Sequence, residues 1–226
     1  MDSITRLKLA NQAWVQYTLD RDPLFFEKLK DGQHPEFLWI GCSDSRIPSD
    51  TVVGTGPGEM FVHRNIANMI IHTDFNMLSV LEFAVKTLRV KHIILCGHYN
   101  CGGVRAAMSQ QNLGLLNKWL RHIKDVYRFH HVELEAIRDE GKRYNRLVEL
   151  NVVEQVHHLA ETSVVQQSWH EFNSPHLHGW VFDTGTGLVK EIMSLAPGSS
   201  IEDIYMFDFG QPNVPLPSSI QRQARR

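Results

Sequence analysis

The chain has 226 residues, 42% hydrophobic and 21% charged, a balance that excludes a disordered polymer and suffices to bury a substantial core. Lys plus Arg number 23 against 25 Asp plus Glu, a formal net charge of -2. That near-neutrality argues against a nucleic-acid partner, which calls for a basic patch or stripe.

In chain order, Met1 to Asp20 is broken by charges and lacks the apolar core of a signal peptide. Ile4, Leu7, Leu9, Ala10, Trp14, Val15 and Leu19 recur at roughly helical spacing, which predicts a helix over 4–20, attached outside a core. Asp22-Pro23 predicts a second helix with Asp22 as cap and Pro23 in the first helical position. Phe37-Leu38-Trp39-Ile40-Gly41 is a continuous apolar run, as in a buried parallel strand. After Gly56-Pro57-Gly58, Met60 to Arg64 reads as another strand. Met77, Leu81, Ala84, Val85 and Leu88 mark a helical face over 76–89, and 92–96 is again a strand. Leu115, Leu116, Trp119, Leu120, Ile123 and Val126 predict a helix over 114–129. The polar stretch 130–145 reads as a surface excursion, and 145–169 as one long amphipathic helix. A strand at 177–183, a turn at Thr184-Gly185-Thr186-Gly187 and an antiparallel arm at 188–192 follow. Alternation of strand and helix implies an α/β fold: about four parallel strands plus an antiparallel edge strand, flanked by helices. Residues 1–195 are expected to form a single domain with an N-terminal helical arm, and 196–226 an irregular or partly disordered tail. No apolar run reaches the length of a membrane span, so no membrane partner is expected.

The cysteines carry the chemistry. Three of them, Cys42, Cys96 and Cys101, cannot form a fully paired disulfide framework, which points to a reducing compartment, read as the cytoplasm. In Cys96-Gly97-His98-Tyr99-Asn100-Cys101-Gly102-Gly103, an imidazole and a thiol stand three residues apart between a strand and a helix. Both are good zinc ligands. Cys42 also sits just beyond a strand's carboxyl end, where open α/β sheets bind their ligands. Two thiolates and one imidazole leave a fourth position open, a recognised catalytic zinc pattern. Such an ion lowers the pKa of bound water towards neutrality, somewhat less with two thiolates than with imidazoles. Asp44 can fill the fourth position and close the site, or pair with Arg46 and leave it to water. Gly102 and Gly103 let backbone N–H groups approach a bound anion.

Cys42-x-Asp44-x-Arg46 followed by His98-x-x-Cys101-Gly102-Gly103 resembles the β-class carbonic anhydrases, as does Pro57-Gly58-Glu59-Met60-Phe61-Val62-His63-Arg64-Asn65 between them. The resemblance runs from about residue 5 to about residue 192. It implies that fold, and an enzyme that reversibly hydrates carbon dioxide to bicarbonate and a proton through zinc-bound hydroxide. It also implies Zn2+ on Cys42, His98 and Cys101, with Asp44 a fourth ligand in a closed state and Asp44–Arg46 a catalytic dyad. By the same resemblance Gln33 binds substrate, usually across a dimer interface, Phe61 and Ile66 wall the pocket, and the assembly is a homodimer or a homotetramer. Trp39 and Arg64 match the bicarbonate-regulated (type II) subgroup. That subgroup's late-strand tyrosine corresponds here to Phe182, which cannot donate a phenolic hydrogen bond, so regulation is expected to be weakened or lost. Phe83 stands where many relatives have tyrosine, and Gly54-Thr55-Gly56 is atypical.

The blander readings are a core thiol for Cys96, a core strand residue for Trp39, a structural ion pair for Arg64 and solvated helix faces for His130-His131 and His157-His158. Two other functions fit the motifs: a carbonyl sulfide or carbon disulfide hydrolase on the same scaffold, and a non-catalytic zinc protein closed by Asp44.

Overall fold

The structure, a computed structural model, describes residues 1–210. Two helices come first, α1 (Ser3–Arg21) and α2 (Phe25–Lys30). Asp2 caps α1 by accepting from the backbone N–H of Ile4 and Thr5, yet no residue of α1 is buried. α2 starts two residues after Pro23, not at it. The Asp22 carboxylate accepts from the backbone N–H of Leu24, so Asp22-Pro23 makes a turn that precedes the helix.

The apolar run then forms β1 (Phe37–Cys42), whose five residues after Phe37 are buried. α3 (Ser49–Val53) leads to β2 (Met60–Asn65). A 3-10 turn at Ile66–Asn68 precedes α4 (Phe75–Glu82), which continues as a π-helical segment, Phe83–Leu88. Next come β3 (His92–His98), α5 (Gly102–Ala107) and α6 (Leu116–Phe129). The polar stretch 130–145 lies mostly at the surface but is helical. It holds α7 (His131–Ala136) and the first turns of α8 (Glu140–Ala160), capped by the Asp139 carboxylate. The pattern over 145–169 is two helices, because the Thr162 hydroxyl caps α9 (Ser163–Phe172) by accepting from the N–H of Val165. β4 (His176–Phe182) and β5 (Val189–Leu195) close the sheet. Residues 196–210 add a 3-10 turn, Asp203–Tyr205, and are tied to α9 where Gln166 bonds the Tyr205 carbonyl and the Phe207 N–H. The rest of the expected tail, 211–226, lies outside the described residues.

The five strands are ordered β2-β1-β3-β4-β5, the first four parallel and β5 antiparallel to β4, as the strand and helix alternation predicts. The chain leaves β1 to one side for β2 and returns to its other side for β3. β1 and β3 therefore flank the point where the winding reverses, and a crevice opens beyond their carboxyl ends. One face of the sheet carries the main core, in which Leu38, Ile40, Ile93, Leu95, Leu177 and Val181 join side chains of α4, α6, α8 and α9. The other face has a small cluster, Trp39, Ile94 and Cys96, bordered by Phe37, Met60, Trp180 and Phe182. Cys96 belongs to that cluster, and burial pushes its thiol up to about 12. His130 and His158 are partly buried and hydrogen-bonded within the protein. His130 pairs with Glu154 at 2.7 Å, and His158 bonds the Ile70 carbonyl, its pKa lowered by burial.

Candidate metal centre

Cys42 ends β1, His98 ends β3 and Cys101 precedes α5, so three residues from two sequence regions meet in the crevice. Their ligand atoms all lie within 4.8 Å of one another, and all three residues are buried. The two sulfurs are 4.0 Å apart. Tetrahedral zinc with bonds of ~2.3 Å puts two thiolates about 3.8 Å apart, so the spacing suits the ion. His98 Nδ1 donates to the Tyr99 carbonyl at 2.9 Å, which leaves the Nε2 lone pair free. That Nε2 is buried without a hydrogen-bond partner. A buried acceptor beside two thiols is a donor set that suits a soft or borderline cation.

The thiols carry the same message. Cys42 is pulled down chiefly by its contact with Cys101, and the N–H groups of Asp44 and Ala67 add to this against the cost of burial. Cys101 is pushed up by the same contact with Cys42 and by burial. Two sulfur anions cannot coexist there without a cation.

Asp44 stands beside the triad, its Oδ2 3.9 Å from His98 Nε2. Arg46 grips both its oxygens, Nε to Oδ1 at 2.9 Å and Nη2 to Oδ2 at 2.7 Å, and the Arg46 backbone N–H adds a third bond at 3.0 Å. The side-chain bond to Arg46 is the main cause that holds the Asp44 carboxyl well below the usual carboxylate range. Arg46 Nη2 also donates to the Asn100 carbonyl at 3.0 Å, which links the dyad to the loop that carries His98 and Cys101.

The remaining sequence candidates are distributed unevenly. Gly103 packs against the 3-10 turn, where an added Cβ would lie 2.9 Å from Ile66 Cγ2, whereas an added Cβ on Gly102 meets nothing within 4 Å. Ile66 is partly exposed, and Phe61 pairs with Phe83 at 5.8 Å between ring centroids. Gln33 is exposed between α2 and β1, and no hydrogen bond among the described residues ties it to the ligand loops. Arg64 directs Nε to the Cys42 carbonyl at 2.8 Å and Nη2 to the Asp44 carbonyl at 2.6 Å. Trp39 is 1% exposed, with its indole over Gly41, and meets Phe182 in the small cluster.

Tyr144 escapes the sequence reading. Its hydroxyl donates to the Cys101 carbonyl at 2.6 Å, and Arg105 lies over its ring at 4.2 Å. A signal was available, since Tyr144, Leu147, Val148, Asn151 and Val152 continue one helical face into the polar stretch. Asn65 was also missed as more than a strand residue. Its amide closes on the Met69 N–H and carbonyl, around Ala67 and Asn68 with φ of 62° and 50°.

A family profile described as carbonic anhydrase matches residues 37–189. A carbonic anhydrase of Emericella nidulans is 53% identical over 198 residues, 87% of each chain. One from Candida albicans is 33% identical over 87% of this chain and 74% of its own. Among solved structures, a tetrameric β-carbonic anhydrase of Sordaria macrospora aligns with a TM-score of 0.83 at 43% identity, over 87% of this chain and 100% of that one. A β-carbonic anhydrase of Aspergillus fumigatus aligns at 0.80 with 40% identity, over 84% and 90%. With a buried Cys-His-Cys cluster at the sheet's switch point and relatives this similar along most of its length, the chain belongs to the β-carbonic anhydrases and is a carbonic anhydrase enzyme.

Proposed function

We propose that Cys42, His98 and Cys101 hold the zinc on which this chain reversibly hydrates carbon dioxide to bicarbonate and a proton, with Asp44 as a gate held open by Arg46. The observation that carries this reading is the two-pronged Asp44–Arg46 pair beside the unpartnered His98 Nε2. Zinc supplies a Lewis acid, which brings the pKa of a coordinated water to about 7 in the all-histidine carbonic anhydrase site from which that figure comes. The chain does the rest. His98 keeps its proton on Nδ1, where the Tyr99 carbonyl holds it, so Nε2 faces the cluster as a lone pair. Asp44 stays ionised and can only accept hydrogen bonds, so it fixes the proton of a hydroxyl beside it and aims the oxygen lone pair at substrate. Arg46 keeps that carboxylate from becoming a fourth ligand. Phe61 and Ile66 offer apolar walls that suit a linear apolar molecule, and Gly102 leaves room for an anion near the start of α5.

By the same reading the working unit is a homodimer or homotetramer in which Gln33 serves a neighbouring subunit's pocket. Bicarbonate regulation through Trp39 and Arg64 is weakened, because Phe182 offers no hydroxyl and Arg64 is engaged with two carbonyls. Metal analysis with stopped-flow hydration across pH tests the whole. A zinc ion that is lost with Cys42 or His98, together with hydration at neutral pH, is expected. Full zinc without hydration at any pH would leave a closed structural site, and sulfide release from carbonyl sulfide without hydration would reassign the substrate.

A further inference from the structure

Away from the catalytic crevice, three imidazoles gather at the amino ends of β3 and β4. His92 opens β3, and its register partner His176 opens β4, with His178 two residues on. His92 Nδ1 and His178 Nε2 are 3.1 Å apart. The ring centroids form a nearly equilateral triangle: 5.2 Å from His92 to His178, 5.9 Å from His92 to His176 and 6.2 Å from His176 to His178. Glu191 on β5 accepts from His178 Nδ1 at 3.3 Å and from Trp180 Nε1 at 3.0 Å. Phe37 stacks on His92 with centroids 5.7 Å apart.

We propose that His92, His178 and His176 form a second metal site, for a divalent first-row transition ion such as Zn2+ or Ni2+, independent of the catalytic centre. An imidazole nitrogen binds zinc at about 2.0–2.1 Å, so two of them at a tetrahedral angle sit about 3.3 Å apart, with ring centroids about 5.2 Å apart. His92 and His178 already have that spacing. His176 joins by turning its ring about its side-chain torsions, and water fills the fourth position. Glu191 supplies the carboxylate that commonly backs a metal-binding histidine: it holds the proton of His178 on Nδ1 and leaves Nε2 as the donor. Without metal, the His92 Nδ1–H bridges to that Nε2. With metal, the proton of His92 moves to Nε2 and the ion takes the bridging place, so neutral imidazoles bind without net proton release. Imidazole ligands without thiolates suit zinc, nickel and copper more than magnesium or calcium. Six residues of β3, about 20 Å, separate His92 from His98, so the ion would staple β3 to β4 at the end opposite the catalytic site.

The test is equilibrium dialysis of the untagged, zinc-loaded full chain against micromolar Zn2+, with metal per chain measured. Wild type is expected to reach two zinc per chain, and His92→Asn/His178→Gln to stop at one with an unchanged hydration rate. Added Zn2+ should raise the Tm of wild type but not of that variant. Cobalt gives an arm that is independent of the catalytic reading. In Cys42→Ser/Cys101→Ser, Co2+ should show d–d bands without sulfur-to-cobalt charge transfer, and the His92/His178 substitutions should remove those bands. A second zinc that survives the double substitution, or wild type that stays at one zinc per chain, would overturn the proposal.

Discussion

His98 and His92 are the same residue on the same strand, six positions apart, and their surroundings give them different chemistry. His98 is fully buried; one nitrogen is committed to a carbonyl and the other has no partner beside two thiols. His92 is half-buried, and its Nδ1 already has a partner in His178 Nε2. A cation at the carboxyl end of β3 relieves two desolvated sulfurs and completes an orphaned imidazole. At the amino end it only replaces a hydrogen bond between neutral rings. The first site is held by what its neighbours lack, the second by what they can give up, so the first must be the tighter by far.

Substitutions should break that contrast in order of size. His98→Ala is expected to abolish both bound zinc at the Cys42–Cys101 centre and carbon dioxide hydration, while His92→Ala leaves both intact; metal content and stopped-flow rates on the two variants check it. Next is Asp44→Ala, which should keep its zinc but lose about a hundredfold in kcat, the usual scale for a positioned acid or base. Arg46→Ala should act differently. Arg46 is the main cause that keeps Asp44 low, so without it the Asp44 carboxyl rises towards the ordinary range yet stays ionised at neutral pH. Freed from the guanidinium, the carboxylate competes for the open metal position. Hydration at neutral pH should fall and recover as pH rises and hydroxide displaces it; a pH–rate profile that keeps its wild-type midpoint would remove Arg46 from the gate.

Much of this contrast is legible in the sequence, and the missing parts share a cause. Cys42, Asp44, Arg46, His98 and Cys101 stand at strand ends, and an apolar run that stops abruptly at a polar loop marks a strand end in any single sequence. The parallel sense of the first four strands follows from alternation, whereas their order does not. Helix limits were less legible where caps decide them. Thr162 splits 145–169 through one side-chain hydrogen bond, which leaves the apolar period undisturbed. Helix α1 and helix α8 show a second limit. Both carry apolar residues at helical spacing, yet α8 buries ten residues and α1 none, with Ile4 60% and Trp14 43% exposed. Periodicity reports that a helix has an apolar stripe; it says nothing about whether this chain or another covers it. The helical face of Tyr144 was legible, but its partner Cys101 and the meeting of His92 with His176 and His178 were not, because those separations follow from the tertiary fold and no local pattern encodes them.

Tyr144→Phe sharpens the contrast at smaller scale, since it touches the catalytic loop without touching a ligand. Burial, followed by the nearby Cys101, pushes the Tyr144 hydroxyl up to about 12, so it remains a donor to the Cys101 carbonyl through the neutral range. Its raised value means that its share of stability, present below about pH 10, is lost only as pH rises towards 12. Removing the hydroxyl leaves the Cys101 carbonyl with the Arg105 N–H alone, at a cost of about 1 kcal/mol for the lost bond. Zinc affinity should fall about tenfold, the lower end for a residue that positions a ligand. Thermal unfolding with a zinc-chelator competition measures both. An unchanged chelator midpoint beside a lowered Tm would make Tyr144 a packing residue only.

The two glycines after Cys101 give the finest division, because one is constrained by its neighbours and the other only by whatever binds. At Gly103 a methyl group would lie 2.9 Å from Ile66 Cγ2 and 3.2 Å from Ala67 Cβ, in a turn whose backbone is already left-handed at Ala67 and Asn68. Gly103→Ala should therefore lower stability by about 1–2 kcal/mol, the range for inserting a methylene into a filled space. At Gly102 nothing lies within 4 Å, so Gly102→Ala should leave Tm unchanged or raise it slightly, as alanine suits a helix better than glycine. If the open space beside Gly102 is where an anion meets the backbone, that methyl would crowd it, and KM for bicarbonate in the dehydration direction should rise a few-fold while kcat holds. A Gly102→Ala enzyme with wild-type KM would mean that the space is solvent and that substrate sits nearer Ile66 and Phe61.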